Sequence, residues 1–172
     1  MPARTDSFDL GALRLSSGEA RRLELELVLG PLTFGGETYS VAPDAVVAAL
    51  DIACMTRGGH ALRLRFDASL HGPCMRCLQP ARPQIAVDAR EVDQPGGGDE
   101  LSSPYVAGGE LDVRAWARDA LALALPAQLL CREECAGLCP ACGENLNDAG
   151  PDHAHERAPD QRWAKLSELK LD

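Results

Sequence analysis

Leu62-Arg63-Leu64-Arg65-Phe66-Asp67-Ala68-Ser69-Leu70 is the stretch that decides the fold. Apolar residues at 62, 64, 66, 68 and 70 alternate with Arg63, Arg65, Asp67 and Ser69, the period of a strand with one buried face. Upstream, Gly58-Gly59 reads as a hairpin turn. It joins this strand to the apolar run at 46–55, which periodicity leaves as either a buried strand or a short helix. Leu23, Leu25, Leu27 and Leu29 mark another one-sided strand, followed by the turn signals Gly30-Pro31 and Gly35-Gly36. Downstream, the deciding strand runs directly into Cys74-Met75-Arg76-Cys77, after which Ile85, Val87 and Ala89 alternate with Asp88 and Arg90. This places the first C-x-x-C in the turn of an antiparallel hairpin, where backbone amides can point at the sulfurs.

Residues 94–109 are rich in Gly, Pro, Ser and acid and read as a flexible connection. Asp112 then caps a helix whose apolar side is Val113, Trp116, Ala117, Ala120, Leu121 and Ala124. Pro126 disfavours helix at Leu125 and ends it. Trp163, Leu166 and Leu169 repeat at helical spacing, so a short docking helix is expected in the tail. The expected fold is α+β: a largely antiparallel sheet or partial barrel, one or two helices, and a C-terminal zinc-bound cysteine-rich loop region. The expected division is a β-rich domain at 1–93 carrying the first C-x-x-C, a linker at 94–110, and a helix with the cysteine-rich region and tail at 111–172 that forms one compact unit with 1–93.

A chain of 172 residues can bury one sizeable core, with or without a small metal-stapled appendage. The N-terminus lacks an export pattern, and no apolar run approaches the roughly 20 residues needed to span a bilayer. A cytoplasmic protein without a membrane role is expected. The net charge is −9 and unevenly placed. Residues 1–90 balance ten Lys/Arg with ten Asp/Glu, whereas 91–172 carry seven against sixteen. Such a surface repels phosphate backbones and attracts basic partners.

Six of the seven cysteines fall into pairs at ligand spacing: Cys74/Cys77, Cys131/Cys135 and Cys139/Cys142. His153 and His155 follow shortly after. Thiolate and imidazole at these spacings suit tetrahedral zinc, in one or two closed structural sites. One partition gathers Cys74, Cys77, Cys131 and Cys135, leaving Cys139, Cys142, His153 and His155 for a second ion. The other joins Cys74/Cys77 to Cys139/Cys142 as in a zinc ribbon. The first is preferred because it also employs the late His-x-His, although two histidines in an acidic, proline-containing loop also read as solvated. Cys54, on one face with Leu50 and Ile52, reads as a core residue. His60 and His71 carry no assigned role.

The pieces Cys74-Met75-Arg76-Cys77-Leu78, Leu121-Ala122-Leu123-Ala124-Leu125-Pro126, and the run from Cys131-Arg132-Glu133-Glu134-Cys135 through Gly137-Leu138-Cys139-Pro140-Ala141-Cys142-Gly143 to Asn145-Leu146-Asn147 are together distinctive. On them the chain resembles the YceD-like family, the large ribosomal RNA subunit accumulation proteins. Many relatives end with Cys-x-Cys where this chain has His153-Ala154-His155, a replacement of ligands by ligands. The usual Asp-Pro-Arg of the tail is here Asp160-Gln161-Arg162. The resemblance implies ribosome biogenesis: accumulation of large-subunit rRNA, with its precursor or a large-subunit ribosomal protein as partner, and no catalysis.

Three function classes follow. A non-enzymatic assembly factor would use zinc knuckles to present groups to RNA, with Arg76 in the first knuckle and Arg63 and Arg65 on the neighbouring strand as candidate RNA contacts. An acidic, chaperone-like holder of a basic ribosomal protein follows from the charge after residue 91. A thiol redox protein is less well supported, because Cys74 and Cys77 stand between strands rather than leading into a helix. Zinc deaminases need H-x-E before P-C-x-x-C, the reverse of this order, and there is no P-loop, G-x-S-x-G or H-E-x-x-H. No small-molecule substrate is expected.

Overall fold

The computed structural model describes residues 3–4 and 6–155. The strands are β1 (Ala3–Arg4), β2 (Phe8–Asp9), β3 (Ala20–Leu27), β4 (Leu32–Phe34), β5 (Glu37–Ala42), β6 (Val46–Cys54) and β7 (His60–Pro73). They continue as β8 (Pro80–Ala81), β9 (Gln84–Asp93), β10 (Val106–Ala107) and β11 (Glu110–Leu111), before the helix α1 (Val113–Leu123). The architecture is α+β: a mostly antiparallel sheet with one α-helix and no closed barrel among the described residues. The expected tail helix lies outside the described residues. The chain divides into two compact units, one running to Cys135 and one beginning at Ala136.

In the first unit β7 is the spine. Along one edge it pairs with β9 from His60↔Asp93 to Ser69↔Gln84, then with β8 at Gly72↔Ala81 and Pro73↔Pro80. Along the other edge it pairs with β6 up to Arg65 and with β5 from Ser69. The alternation holds to Ala68 and then breaks, with Ser69 buried between Ala68 and Leu70. Ser69 survives this burial by donating its hydroxyl to the Ala42 carbonyl. The ambiguous run at 46–55 is strand β6, paired on both sides by β3 and β7. Its ladder decides what its periodicity does not.

Leu25, Leu27, Leu50, Leu64 and Val87 face one core with Val113, Trp116, Ala117 and Leu121 of α1. Asp112 caps α1 through its carboxylate, which accepts from the Ala115 amide at 2.8 Å. Cys54 is half-buried rather than a core residue. It is the last residue of β6, where the covered face has run out. Across the opposite face, Arg22, Asp51, Arg63 and Arg90 stand in one cross-strand row over β3, β6, β7 and β9.

Residues 94–110 hold the 3₁₀ turn Asp99–Leu101 and strand β10, and Tyr105 stacks on Trp116 with ring centroids 6.3 Å apart. No helix among the described residues is long and apolar enough to cross a membrane.

Candidate metal centres

In the first unit β7 and β8 deliver a short loop holding Cys74 and Cys77. The Cys74 amide donates to the Gln79 carbonyl at 2.8 Å, and the Leu78 amide donates back to the Cys74 carbonyl at 3.0 Å. This closes the loop and turns the Arg76 amide toward the Cys74 sulfur at 3.4 Å. Leu78 takes a left-handed φ of 62° to complete the turn. Just before the loop, a Cβ on Gly72 would lie 2.3 Å from the Tyr39 ring, so only glycine fits there. Tyr39 is itself buried and donates its hydroxyl to the Pro73 carbonyl at 3.0 Å, fixing the loop's entry.

The segment after α1 is strapped to this loop. The Met75 amide donates to the Leu129 carbonyl at 2.9 Å. Arg76 donates from Nε to Gln128 Oε1 and from Nη1 to the Cys135 carbonyl, both at 3.0 Å. The strap brings Cys131 and Cys135 to the knuckle: Cys74 Sγ lies 3.8 Å from Cys135 Sγ, and Cys77 Sγ lies 3.6 Å from Cys131 Sγ. All four sulfurs lie within 4.8 Å of one another. A tetrahedron with bonds of about 2.3 Å has edges of about 3.8 Å, so the set can hold a metal ion.

The second unit repeats the knuckle. The Cys139 amide donates to the Glu144 carbonyl at 2.7 Å and the Gly143 amide to the Cys139 carbonyl at 2.8 Å. Gly143, with φ 78°, occupies the place of Leu78. The Asn-Leu-Asn run holds this loop. Asn147 Oδ1 accepts from the Ala136 amide, Asn145 Oδ1 accepts from the Asn147 amide, and the Leu146 amide donates to the Gly137 carbonyl. His153 Nε2 lies 3.8 Å from Cys142 Sγ and 3.2 Å from His155 Nε2, and these atoms with Cys139 Sγ form a second group within 4.8 Å. His153 Nδ1 is 2.9 Å from Glu144 Oε2. A carboxylate there holds the proton on Nδ1 and leaves Nε2 facing the cluster, the usual support for a metal-binding imidazole.

The electrostatics differ between the two groups. Burial pushes the Cys74 thiol up, but the hydrogen bonds converging on its sulfur outweigh this and bring it down to about 6. Cys131 moves the opposite way: burial and the crowd of neighbouring sulfurs raise it to about 12. Without a cation, four adjacent thiols cannot all ionise; a divalent ion removes that conflict. Cys139 is lowered to about 6, first by the hydrogen bond from His153 and then by the Cys142 and Ala141 amides. Cys74, Cys77 and Cys135 are buried, whereas Cys142 and His155 are exposed.

Arg63, Arg65 and Arg76, singled out as RNA contacts, are not assembled into one free patch. Arg63 forms a two-pronged pair with Asp88 at 2.7 and 2.6 Å, and Arg65 meets Asp51 at 2.9 Å. Arg76 is spent on Gln128 and Cys135. His71 Nε2 pairs with the Ser69 hydroxyl. Sequence reasoning missed Tyr39, Gly72 and Glu144. Glu144 was findable as an acid two residues after Cys142, but Tyr39 and Gly72 meet only through the β5–β7 pairing.

Fold and paired clusters define a small α+β protein with two Cys/His groups that could each hold a metal ion. The chain belongs to the YceD family, described as large ribosomal RNA subunit accumulation protein YceD, which matches residues 62–170. It is similar to an uncharacterised protein of Mycobacterium tuberculosis, with 38% identity over 106 residues covering 57% of this chain and 49% of the relative. An uncharacterised protein of Mycobacterium bovis matches to the same extent. One from Mycobacterium leprae is 27% identical over 168 residues, 92% of this chain and 70% of that one. The chain thus spans about half the length of the first of these relatives. No solved structure matches it.

Proposed function

We propose that this chain is a non-enzymatic ribosome-assembly factor that supports accumulation of large-subunit rRNA and carries two structural zinc ions. Membership of the YceD family over residues 62–170 carries the assembly role. Cys74, Cys77, Cys131 and Cys135 bind one ion as thiolates; Cys139, Cys142, His153 and His155 bind the other. Soft sulfur and imidazole donors in closed sets of four favour zinc over hard cations and over an open catalytic site. The metal's task is to hold the two knuckles in shape.

The partner is a precursor of large-subunit rRNA, a large-subunit ribosomal protein, or both, met in the cytoplasm. Arg63, Arg65 and Arg76 are the proposed RNA contacts, and Arg63 and Arg65 would exchange their carboxylates for phosphates on binding. The acidic balance of −9 supports the second reading, a holder for a basic ribosomal protein. Depleting the protein in cells and measuring large-subunit rRNA and ribosome profiles tests the assembly role; unchanged profiles would remove it. Joint Arg63→Ala, Arg65→Ala and Arg76→Ala replacement separates the partners, since loss of RNA association with retained protein binding assigns the arginines to RNA. Elemental analysis of protein purified under reducing conditions should find two zincs per chain.

A further inference from the structure

β9 pairs with β7 along one edge only, and among the described residues no hydrogen bond reaches the backbone of its other edge. A groove of about 340 Å³ opens along that edge. Five consecutive β9 residues, 87–91, form one wall, and Tyr105, Trp116 and Leu123 help form the other. A run of consecutive strand residues lining a groove presents backbone donors and acceptors to it, not merely alternate side chains. Leu123 is 86% exposed at the end of α1, the most exposed large apolar side chain described. It lines the groove with Tyr105, Trp116 and Ala120, opposite the mixed polar and apolar wall of β9.

The charges along this groove are sorted by face. Asp88 and Arg90 also line the groove, but they alternate onto the opposite face of the sheet, where Asp88 is held by Arg63. Glu91 shares the helix-side face with Val87 and Ala89, and Asp119 accepts from the Tyr105 hydroxyl at 3.1 Å. Neither Glu91 nor Asp119 has a basic partner among the described residues. Glu91 in the lining, with Asp119 held against the lining residue Tyr105, is uncompensated negative charge on the helix side, which repels nucleic acid and draws cationic side chains.

We propose that the outer edge of β9 is a docking site for an extended, lysine- or arginine-rich polypeptide segment, which adds as a further strand and lays alternate side chains between α1 and the sheet. Strand addition obtains affinity from main-chain hydrogen bonds and selectivity from alternate side-chain pockets. The inference deepens the assembly reading and rests on it only for the partner's origin in a basic ribosomal protein.

The test uses the full chain and a synthetic peptide of alternating lysine and valine, with a glutamate-valine peptide and a short single-stranded RNA as comparisons. Amide hydrogen exchange in the free protein should show the alternate β9 amides unprotected, and the lysine peptide should protect them. Leu123→Asp and the double change Glu91→Lys/Asp119→Lys should each weaken peptide binding by about tenfold, the scale of losing one anchor. Leu123 and Asp119 are exposed and Glu91 is half-buried, so a circular-dichroism melt checks that each variant keeps the fold. β9 amides already protected in the free chain would mean the edge is filled from within and would overturn the proposal. Equal binding of the glutamate peptide, preference for RNA, or indifference to both variants would do the same. If the peptide binds as expected while depletion leaves ribosome profiles unchanged, the docking site stands and the assembly reading falls.

Discussion

The two knuckles have one backbone and two environments. In each, the first cysteine's amide bonds to the carbonyl five residues on, and the amide four residues on bonds back. The first is bolted to a sheet and draws its other two sulfurs from a distant segment, Cys135 lying 61 positions after Cys74. The second completes its set nearby, His153 lying 11 positions after Cys142. By the chain-entropy argument used for cross-links, a closure of the first kind contributes about 4 kcal/mol and the second about 3. The larger difference lies in what each cluster organises. Four thiolates leave a zinc centre net negative and two leave it neutral; Arg76 lies beside the first. The local hydrogen-bond pattern makes a knuckle, and the surrounding chain decides how much folding depends on it.

The sharpest way to break this contrast is to remove one ligand from each. Cys77→Ser should cost the first centre its metal and destabilise the first unit by about 3 kcal/mol or more, read by metal content and thermal melting. Cys142→Ser should also lose one metal but move the main melting transition by less than about 2 °C. Equal effects would mean the two closures matter alike. Next in size, Glu144→Gln should weaken zinc binding at the second centre about tenfold in a chelator competition and leave the first unaltered, because only His153 depends on that carboxylate.

The glycine at the second turn sharpens the comparison further. Gly143→Ala should cost about 1 kcal/mol through its left-handed φ alone, since a Cβ there meets nothing within 4 Å. Leu78→Gly should be close to neutral in a melt, relief of strain offsetting the added freedom of the unfolded chain. The smallest effect concerns the first unit's outer face. Arg22 foremost, with Arg65, holds Asp51 below the usual carboxylate range against the opposing effect of burial, and Arg63 does the same for Asp88. Carboxylates with depressed folded values add stability above their unfolded pKa of about 4, and it is lost as pH falls through the folded value. Asp51→Asn should therefore lower Tm by about 2–4 °C at neutral pH. In acid titrations of the melt, that gap should close below about pH 4.

Strand positions were legible where one face meets solvent. The alternation in β7 and β9 and the leucines of β3 all report such a face, and Asp112 announces α1 by its capping chemistry. β6 was ambiguous because its outer face carries Val47, Ala49 and Ala53 beside Asp51, so the sequence stays apolar although the burial alternates. The small β2, β10 and β11 pairings left no trace, since two-residue strands carry too few side chains for a period. For the candidate sites, C-x-x-C spacing reveals loops that can turn two sulfurs inward, but proximity of Cys74 to Cys135 depends on Met75, Arg76 and Leu129, whose contacts have no local signature. The arginines illustrate the reverse limit. Arg63 and Arg65 occur at outward-facing, half-buried strand positions, and each is paired with an aspartate of a neighbouring strand.

The register that joins Cys74 to Cys135 also sets a timetable. During synthesis Cys74 and Cys77 emerge first and must wait for some sixty residues before their partners follow. At about 5–20 residues per second, that is an interval of about 3–12 seconds. Throughout it the nascent chain carries an unfinished pair of thiols, open to whatever oxidant or competing ion arrives first.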